Sequence, residues 1–202
     1  MMPQAEMASH SRGKETSTGD WSRNLATRTG LSFSVRPVRL DDEAALAEFF
    51  AHVKPEDLRF RFLAGMKAVS HDRLAAMTQV DHRQTENFLA FAEDGRTVIA
   101  TAMLACDPAF EKGEVAICVR AAYRHRGIGW EMLRLVAQYA QAKGVKVLES
   151  IENRDNHEAI ELEREQGFVA ASYPDDPTLM LIRKELRRNR GGRAANPAAA
   201  HP

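Results

Sequence analysis

The segment Arg124-His125-Arg126-Gly127-Ile128-Gly129 constrains this chain more than any other. It lies between an apolar run, Val115 to Val119, and a segment whose apolar Met132, Leu133, Leu135, Val136 and Ala140 recur at helical spacing. The order is therefore strand, glycine-bearing turn, helix. The start of a helix offers backbone N–H groups without acceptors, and about half a positive charge from its dipole. Glycines let that backbone come close to an anion, and Arg124 and Arg126 add charged donors. Such an element is suited to holding a phosphate. A mononucleotide P-loop would end in Gly-Lys-Ser/Thr, and a dinucleotide fingerprint would have its third glycine where Met132 stands. Neither fits, which points to a phosphate carrier of another kind.

The rest of the chain narrows the field by exclusion. Lys and Arg together number 28, as do Asp and Glu, so no global charge favours nucleic acid or a membrane surface. Cys106 and Cys118 sit in apolar, strand-like runs and read as buried reduced thiols, and no Cys or His spacing suits a metal ion. There is no hydrophobic leader and no apolar run of about 18 residues. The expectation is a cytoplasmic protein without metal, membrane or nucleic-acid partner, its oligomeric state left open.

At 202 residues the chain suits one domain with tails. Residues 1–32, rich in Ser, Thr, Gly and charge, read as a disordered N-terminal tail, and 187–202, basic and then Ala/Pro-rich, as a disordered C-terminal one. Between them, residues 33–186 form the folded domain. Phe33 to Leu40 alternates as a strand, Asp41 or Asp42 caps a helix bearing Leu46, Phe49, Phe50 and Val53, and Pro55 opens the next. Ser70 caps a third helix. Asn87 to Ala92 and Thr97 to Cys106 flank a Glu93-Asp94-Gly95-Arg96 turn as a hairpin, followed by a strand over Gly113 to Val119. Beyond the glycine loop and its helix, Gly144 stops the helix and Val145 to Ile151 forms a strand. A helix over Asn156 to Gln166 and strands over Gly167 to Ser172 and Thr178 to Leu186 complete the set. Antiparallel strands followed by strand-helix-strand give an α/β fold with a mixed sheet, not a doubly wound one.

Two motifs resemble a known family. Arg124, Gly127 and Gly129 match the Gln/Arg-x-x-Gly-x-Gly/Ala loop that holds the acetyl-CoA pyrophosphate in GNAT N-acetyltransferases. Asn156-His157-Glu158-Ala159-Ile160-Glu161-Leu162, running on to Gly167-Phe168, is similar to that family's second motif. Softer likenesses extend to the GNAT domain of bacterial protein lysine acetyltransferases that modify acyl-CoA synthetases. They lie in Val35-Arg36-Pro37-Val38-Arg39, Asp41-Asp42-Glu43, Phe49-Phe50, Leu58-Arg59-Phe60-Arg61-Phe62 and Leu74 to Asp81.

The resemblance implies a mostly antiparallel central sheet with one splayed strand pair, flanked by helices, and acetyl-CoA as co-substrate. It implies that the loop amides of Arg126, Gly127, Ile128 and Gly129 grip the pyrophosphate, with Arg124 as a charged donor and His125 either touching phosphate or simply exposed. The backbone of Ile117, Cys118 and Val119 would pair with pantetheine, as an added strand does. An N–H near Cys118 or Val119 would face the thioester carbonyl. Asn156 contacts pantetheine, caps its helix, or does both, and Trp130 either packs the helix onto the sheet or meets adenine. Glu114 matches in strand position the glutamate of the protein-lysine enzymes and would act as general base, since a lysine amine of pKa about 10.4 must first lose a proton. The competing reading of Glu114 is a solvated charge beside Lys112, with Glu111 as a substitute base. The family's tyrosine acid is replaced by Glu163, which could donate to the leaving thiolate only if its pKa were raised and otherwise reads as surface charge among Glu158, Glu161, Arg164 and Glu165, so no acid is assigned. The acceptor is a protein lysine or, alternatively, a small amine. A third reading is a non-catalytic acyl-CoA sensor.

Overall fold

The computed structural model describes residues 21–66 and 68–186. Eight strands form one sheet: β1 (Arg23–Ala26), β2 (Ser32–Pro37), β3 (Thr85–Phe91), β4 (Val98–Cys106), β5 (Lys112–Val119), β6 (Val147–Asn153), β7 (Val169–Ser172) and β8 (Leu179–Glu185). The helices are α1 (Glu43–Ala51), α2 (Pro55–Phe62), α3 (His71–Thr78), α4 (Ile128–Lys143) and α5 (His157–Glu165). The spatial order is β1-β2-β3-β4-β5-β6-β8-β7. Every neighbouring pair is antiparallel except β5 with β6.

Both sheet faces are covered, so β3 and β4 read as nearly continuous apolar runs. On one face α4 buries Met132, Leu133 and Val136 against Phe88, Ala102, Leu104 and Val115, and α5 adds Ile160. On the other, α1 to α3 pack Leu46, Phe49, Leu58 and Met77 against Leu89, Phe91, Val98 and Cys118. Local signals act as expected at Pro55, in the first turn of α2, and at Gly144, whose φ of 87° ends α4 in the left-handed conformation. Ser70 and Asp42 stand at N-cap positions but make no side-chain cap hydrogen bond. The Asp42 carboxylate instead takes two hydrogen bonds from Arg36, at 2.6 and 2.7 Å, and one from the Arg39 amide at 2.7 Å. Among the described residues, no helix is long and apolar enough to cross a membrane.

The expected N-terminal tail needs correction. Residues 21–32 are part of the fold: β1 pairs with β2 from Arg23↔Val35 to Ala26↔Ser32, and Trp21 stands edge-on to Tyr139 of α4 at 5.0 Å. The segment is polar in composition, yet Trp21, Leu25 and Leu31 lean on a core that the rest of the chain has already built. Residues 1–20 and 187–202, which carry the remainder of the two expected tails, lie outside the described residues.

Replacing Trp21 with Ala should lower unfolding stability by about 1–3 kcal/mol, seen as a lower denaturant midpoint at unchanged slope. An unchanged midpoint would show that this segment contributes nothing.

Candidate active site

The parallel pair β5–β6 holds together over three positions only, Lys112↔Val147, Gly113↔Leu148 and Glu114↔Glu149. Beyond them β6 continues with β8 and leaves β5. Among the described residues, no strand pairs with Val115 to Val119 on that side. Backbone groups there need partners, and a ligand with amides of its own can supply them as an added strand would. The gap opens into a cleft of about 410 Å³, which reaches from Arg61 and Glu114 along Ile117 to Val119 and on to the loop at Gly127 to Trp130. Side chains alternate across β5. Val115, Ile117 and Val119 face α4, whereas Cys118 faces the α1–α3 layer, and Glu114 shares its face with Cys118.

After β5, one helical turn over Ala121–Tyr123 leads into Arg124, whose backbone is extended. His125 and Gly127 take left-handed conformations, with φ of 58° and 83°. α4 then begins at Ile128, which is fully buried and anchors the helix start. A Cβ on Gly127 would lie 3.2 Å from that of Thr27, and one on Gly129 would sit 3.4 Å from Leu162 and 3.9 Å from Val119. Both glycines keep the loop close to its surroundings, and the residues present fit a diphosphate held on main-chain amides at a helix start.

The loop side chains divide differently from the sequence expectation. The Arg124 guanidinium is held by both Asp57 oxygens at 2.9 and 3.1 Å and by Glu158 at 2.6 Å. It braces α2 against α5. Arg126 is exposed over the Tyr123 ring at 5.5 Å, and its carbonyl accepts the Thr29 hydroxyl at 3.1 Å. His125 is exposed near Glu158. Trp130 lines the cleft half-exposed under the Arg28 guanidinium, 4.6 Å away, while packing onto the sheet falls to Ile128. Asn156 precedes α5 without a side-chain cap hydrogen bond, and its Nδ2 donates to Glu152 at 2.7 Å.

Ionisable side chains gather where the strands part. Partial burial holds the Glu114 carboxyl above the ordinary carboxylate range, Glu149 opposite it adds to the effect, and Arg61 opposes it. Arg61, from α2, is pressed into the wall with its Nε unpartnered. Burial pushes Glu152 up to about 7 against the hydrogen bond from Asn156 and the charge of Arg61. Burial also pushes Glu163 up to about 8, with Glu152 adding to it. Burial pushes the Cys118 thiol up to about 12, which leaves it inert.

Glu163 is therefore not the surface charge that its charged neighbours suggested. It is 5% exposed, on the face of α5 that also buries Ile160. The three-residue spacing from Ile160 was the signal that could have placed it inward.

A strand pair opened at one end, an anion-suited loop at the other and carboxyls on both walls define a cleft for a coenzyme carrying amides and a diphosphate. The model of the Acetyltransferase (GNAT) family matches residues 48–168. An acetyltransferase of Pseudomonas aeruginosa is 28% identical over 191 residues, covering 92% of this chain and 100% of that protein. The GNAT domain of PAT from S. lividans superposes with a TM-score of 0.77 at 23% identity, over 83% of this chain and 98% of that one. Spermidine N-acetyltransferase from Vibrio cholerae, in complex with CoA and spermine, gives a TM-score of 0.63 at 12% identity, over 77% and 96%. The chain belongs to the GNAT family. It is an N-acetyltransferase with the GNAT fold, and acetyl-CoA is its co-substrate.

Substituting Gly127 by Glu should weaken acetyl-CoA binding by at least about tenfold, ~1.4 kcal/mol, through crowding, left-handed strain and added negative charge. Calorimetry reads this directly, and unchanged affinity would remove the loop from the site. The folded chain holds protons on Glu152 and Glu163 up to about 7 and about 8, whereas the unfolded chain releases them in the ordinary carboxylate range. The folded state thus binds more protons across that interval, and stability falls as pH rises through it. Glu163→Gln should gain in Tm relative to wild type between about pH 5 and about pH 9, because it removes part of that loss.

Proposed function

We propose that this enzyme acetylates the ε-amino group of a protein lysine by direct transfer, with Glu114 as general base. The observation that carries the proposal is the position of Glu114. It is the last β5 residue paired with β6, at the fork end of the cleft, with its carboxyl held above its usual range. An incoming lysine carries an extra proton at neutral pH, and a carboxylate at the fork can take it directly or through a water. The likeness of Val35 to Arg39, Leu58 to Phe62 and the α3 segment to bacterial protein lysine acetyltransferases supports a protein acceptor.

In this reading the amides of Arg126, Gly127, Ile128 and Gly129 hold the diphosphate, with Arg126 as the available cation beside them. Arg124 keeps the loop in place through Asp57 and Glu158. His125 and Trp130 border the phosphate and adenosine end. The edge of Ile117, Cys118 and Val119 pairs with pantetheine and aims an N–H at the carbonyl oxygen, where negative charge develops. Asn156 acts by orienting Glu152. The reading includes a cytoplasmic location, which keeps Cys106 and Cys118 reduced.

One observation favours a small cationic amine instead. The cleft lining carries Asp57, Glu114, Glu158, Glu161 and Glu165 against Arg61 and Arg124, beside the half-buried Glu152 and the buried Glu163. The spermidine enzyme of Vibrio cholerae shares the fold.

Radiolabelled acetyl-CoA with a cell extract, followed by an amine panel, separates the two: labelled protein bands support the first reading and labelled small amines the second. Glu114→Gln should lower kcat by about 10²-fold while leaving acetyl-CoA affinity unchanged. A full rate in that variant would remove Glu114 as the base, and no turnover with any acceptor, despite tight binding, would favour the sensor reading.

A further inference from the structure

Arg61 is a cation without a counter-charge at bonding distance. Three other partly buried arginines, Arg36, Arg120 and Arg124, each hold a carboxylate at 2.6 to 2.9 Å. Among the described residues, Arg61 makes no ion pair of this kind, and its Nε is buried without a hydrogen-bond partner. The contacts it does make are weak ones. A terminal nitrogen lies 3.7 Å from the Met103 sulfur, and the guanidinium stands 5.1 Å from the centre of the Phe62 ring. Taking a guanidinium out of water is costly unless paired groups replace the lost solvent. A cleft-lining cation in this state is suited to an anion that arrives with a ligand.

Neighbouring groups do not fill that place. Glu114 of β5 and Glu152 of β6 act on Arg61 from beyond ion-pair distance. Glu152, pushed up to about 7, carries only part of a charge at neutral pH, and the Cys118 thiol keeps its proton. The loop suited to the diphosphate lies at the other end of the cleft, and an acetyl group has no charge. The missing anion therefore comes with the acceptor. The two walls of the fork bear this out. Leu148 of β6 packs into the α4–α5 layer, so Ser150 and Glu152 share that face. Glu114 and Arg61 stand together on the opposite wall.

We propose that Arg61 selects the acceptor by binding a carboxylate that stands beside the reactive amine, while Glu114 receives the amine itself. Opposite charges set side by side on one wall complement an ammonium and a carboxylate a few atoms apart. That carboxylate belongs either to a free amino acid or to an Asp or Glu side chain next to an acceptor lysine in a protein. The planar guanidinium fork can take both oxygens at once, which a lysine ammonium cannot copy. A polyamine would instead set a second cation against Arg61. This inference rests on Glu114 meeting the amine in this cleft, and adds what must lie next to that amine.

The test uses the full chain, acetyl-CoA and acceptors matched in pairs. Free amino acids are compared with their carboxamides, and lysine peptides flanked by Asp or Glu with the same peptides flanked by Asn or Gln. Wild type should favour the carboxylate-bearing member by about 10- to 10²-fold in kcat/KM. Discrimination among the free amines identifies a free zwitterion as the source, and discrimination among the peptides an acidic neighbour of the lysine. Arg61→Met, similar in length but uncharged, should abolish the discrimination, and Arg61→Lys should keep only part of it. The ratio within a pair is the readout, because losing the Arg61 charge also acts on Glu114 and slows both members alike. A merely structural role would leave that ratio where it was. No discrimination by wild type, no turnover of any pair, or discrimination that survives Arg61→Met would each overturn the proposal. So would a wild-type preference for succinyl-CoA over acetyl-CoA that Arg61→Met abolishes, since the carboxylate would then belong to the acyl group. Should Arg61→Met not fold, an unreduced ratio in Arg61→Lys would overturn it equally. A full rate in Glu114→Gln with discrimination intact removes only the base; a slowed Glu114→Gln with no discrimination in wild type removes only the role of Arg61.

Discussion

The parting of β5 from β6 after Glu114 is the constraint on which the rest of the molecule depends. A parallel pair would ordinarily continue its hydrogen bonds to the end of the shorter strand. Here β6 stays with β8 as far as Asn153, while β5 stays with β4 as far as Ala100↔Val119. The two halves of the sheet are each anchored by antiparallel partners and by their own helix layers. What the divergence leaves is a row of unpaired backbone groups on β5, leading to the amides at the start of α4. The linear order of strand, loop and helix becomes in space a single track for a ligand that carries amides at one end and phosphates at the other.

The same divergence sets the electrostatics. Side chains that would face each other across a closed sheet instead line two walls with low solvent access. Glu114 and Arg61 belong to one wall, and Glu152 and Glu163 to the other. Carboxyls there are taken out of water without a full set of hydrogen-bond partners, which raises their proton affinity. Arg124, paired with Asp57 and Glu158, ties the helices on either side of the cleft mouth through one doubly paired guanidinium.

Parts of this were legible in the residues. Gly127 and Gly129 between a strand and a helix, Pro55, Gly144 and the alternation of β2 act through local backbone preference, which neighbours in sequence decide. Other parts were not. Trp21 and Leu25 sit in a polar stretch, and only the proximity of Tyr139 and the main core makes their strand worthwhile. Asp42 looked like a helix cap and is claimed by Arg36 instead. Asn156 looked like another and is bonded to Glu152. Glu163 looked solvated because its sequence neighbours are charged, although its helix turns it inward beside Ile160.

By itself the sequence determined the order of the elements, the phosphate-suited turn and the family, because these rest on periodicity, glycine placement and short spacings. Only the tertiary structure decided which ionisable groups lose their water and which charges pair. Asp57 meets Arg124 across 67 positions of chain, and Arg61 comes within electrostatic reach of Glu114 and Glu152 from another layer. Desolvation and Coulomb attraction act through space and not along the chain, so no local pattern encodes their outcome.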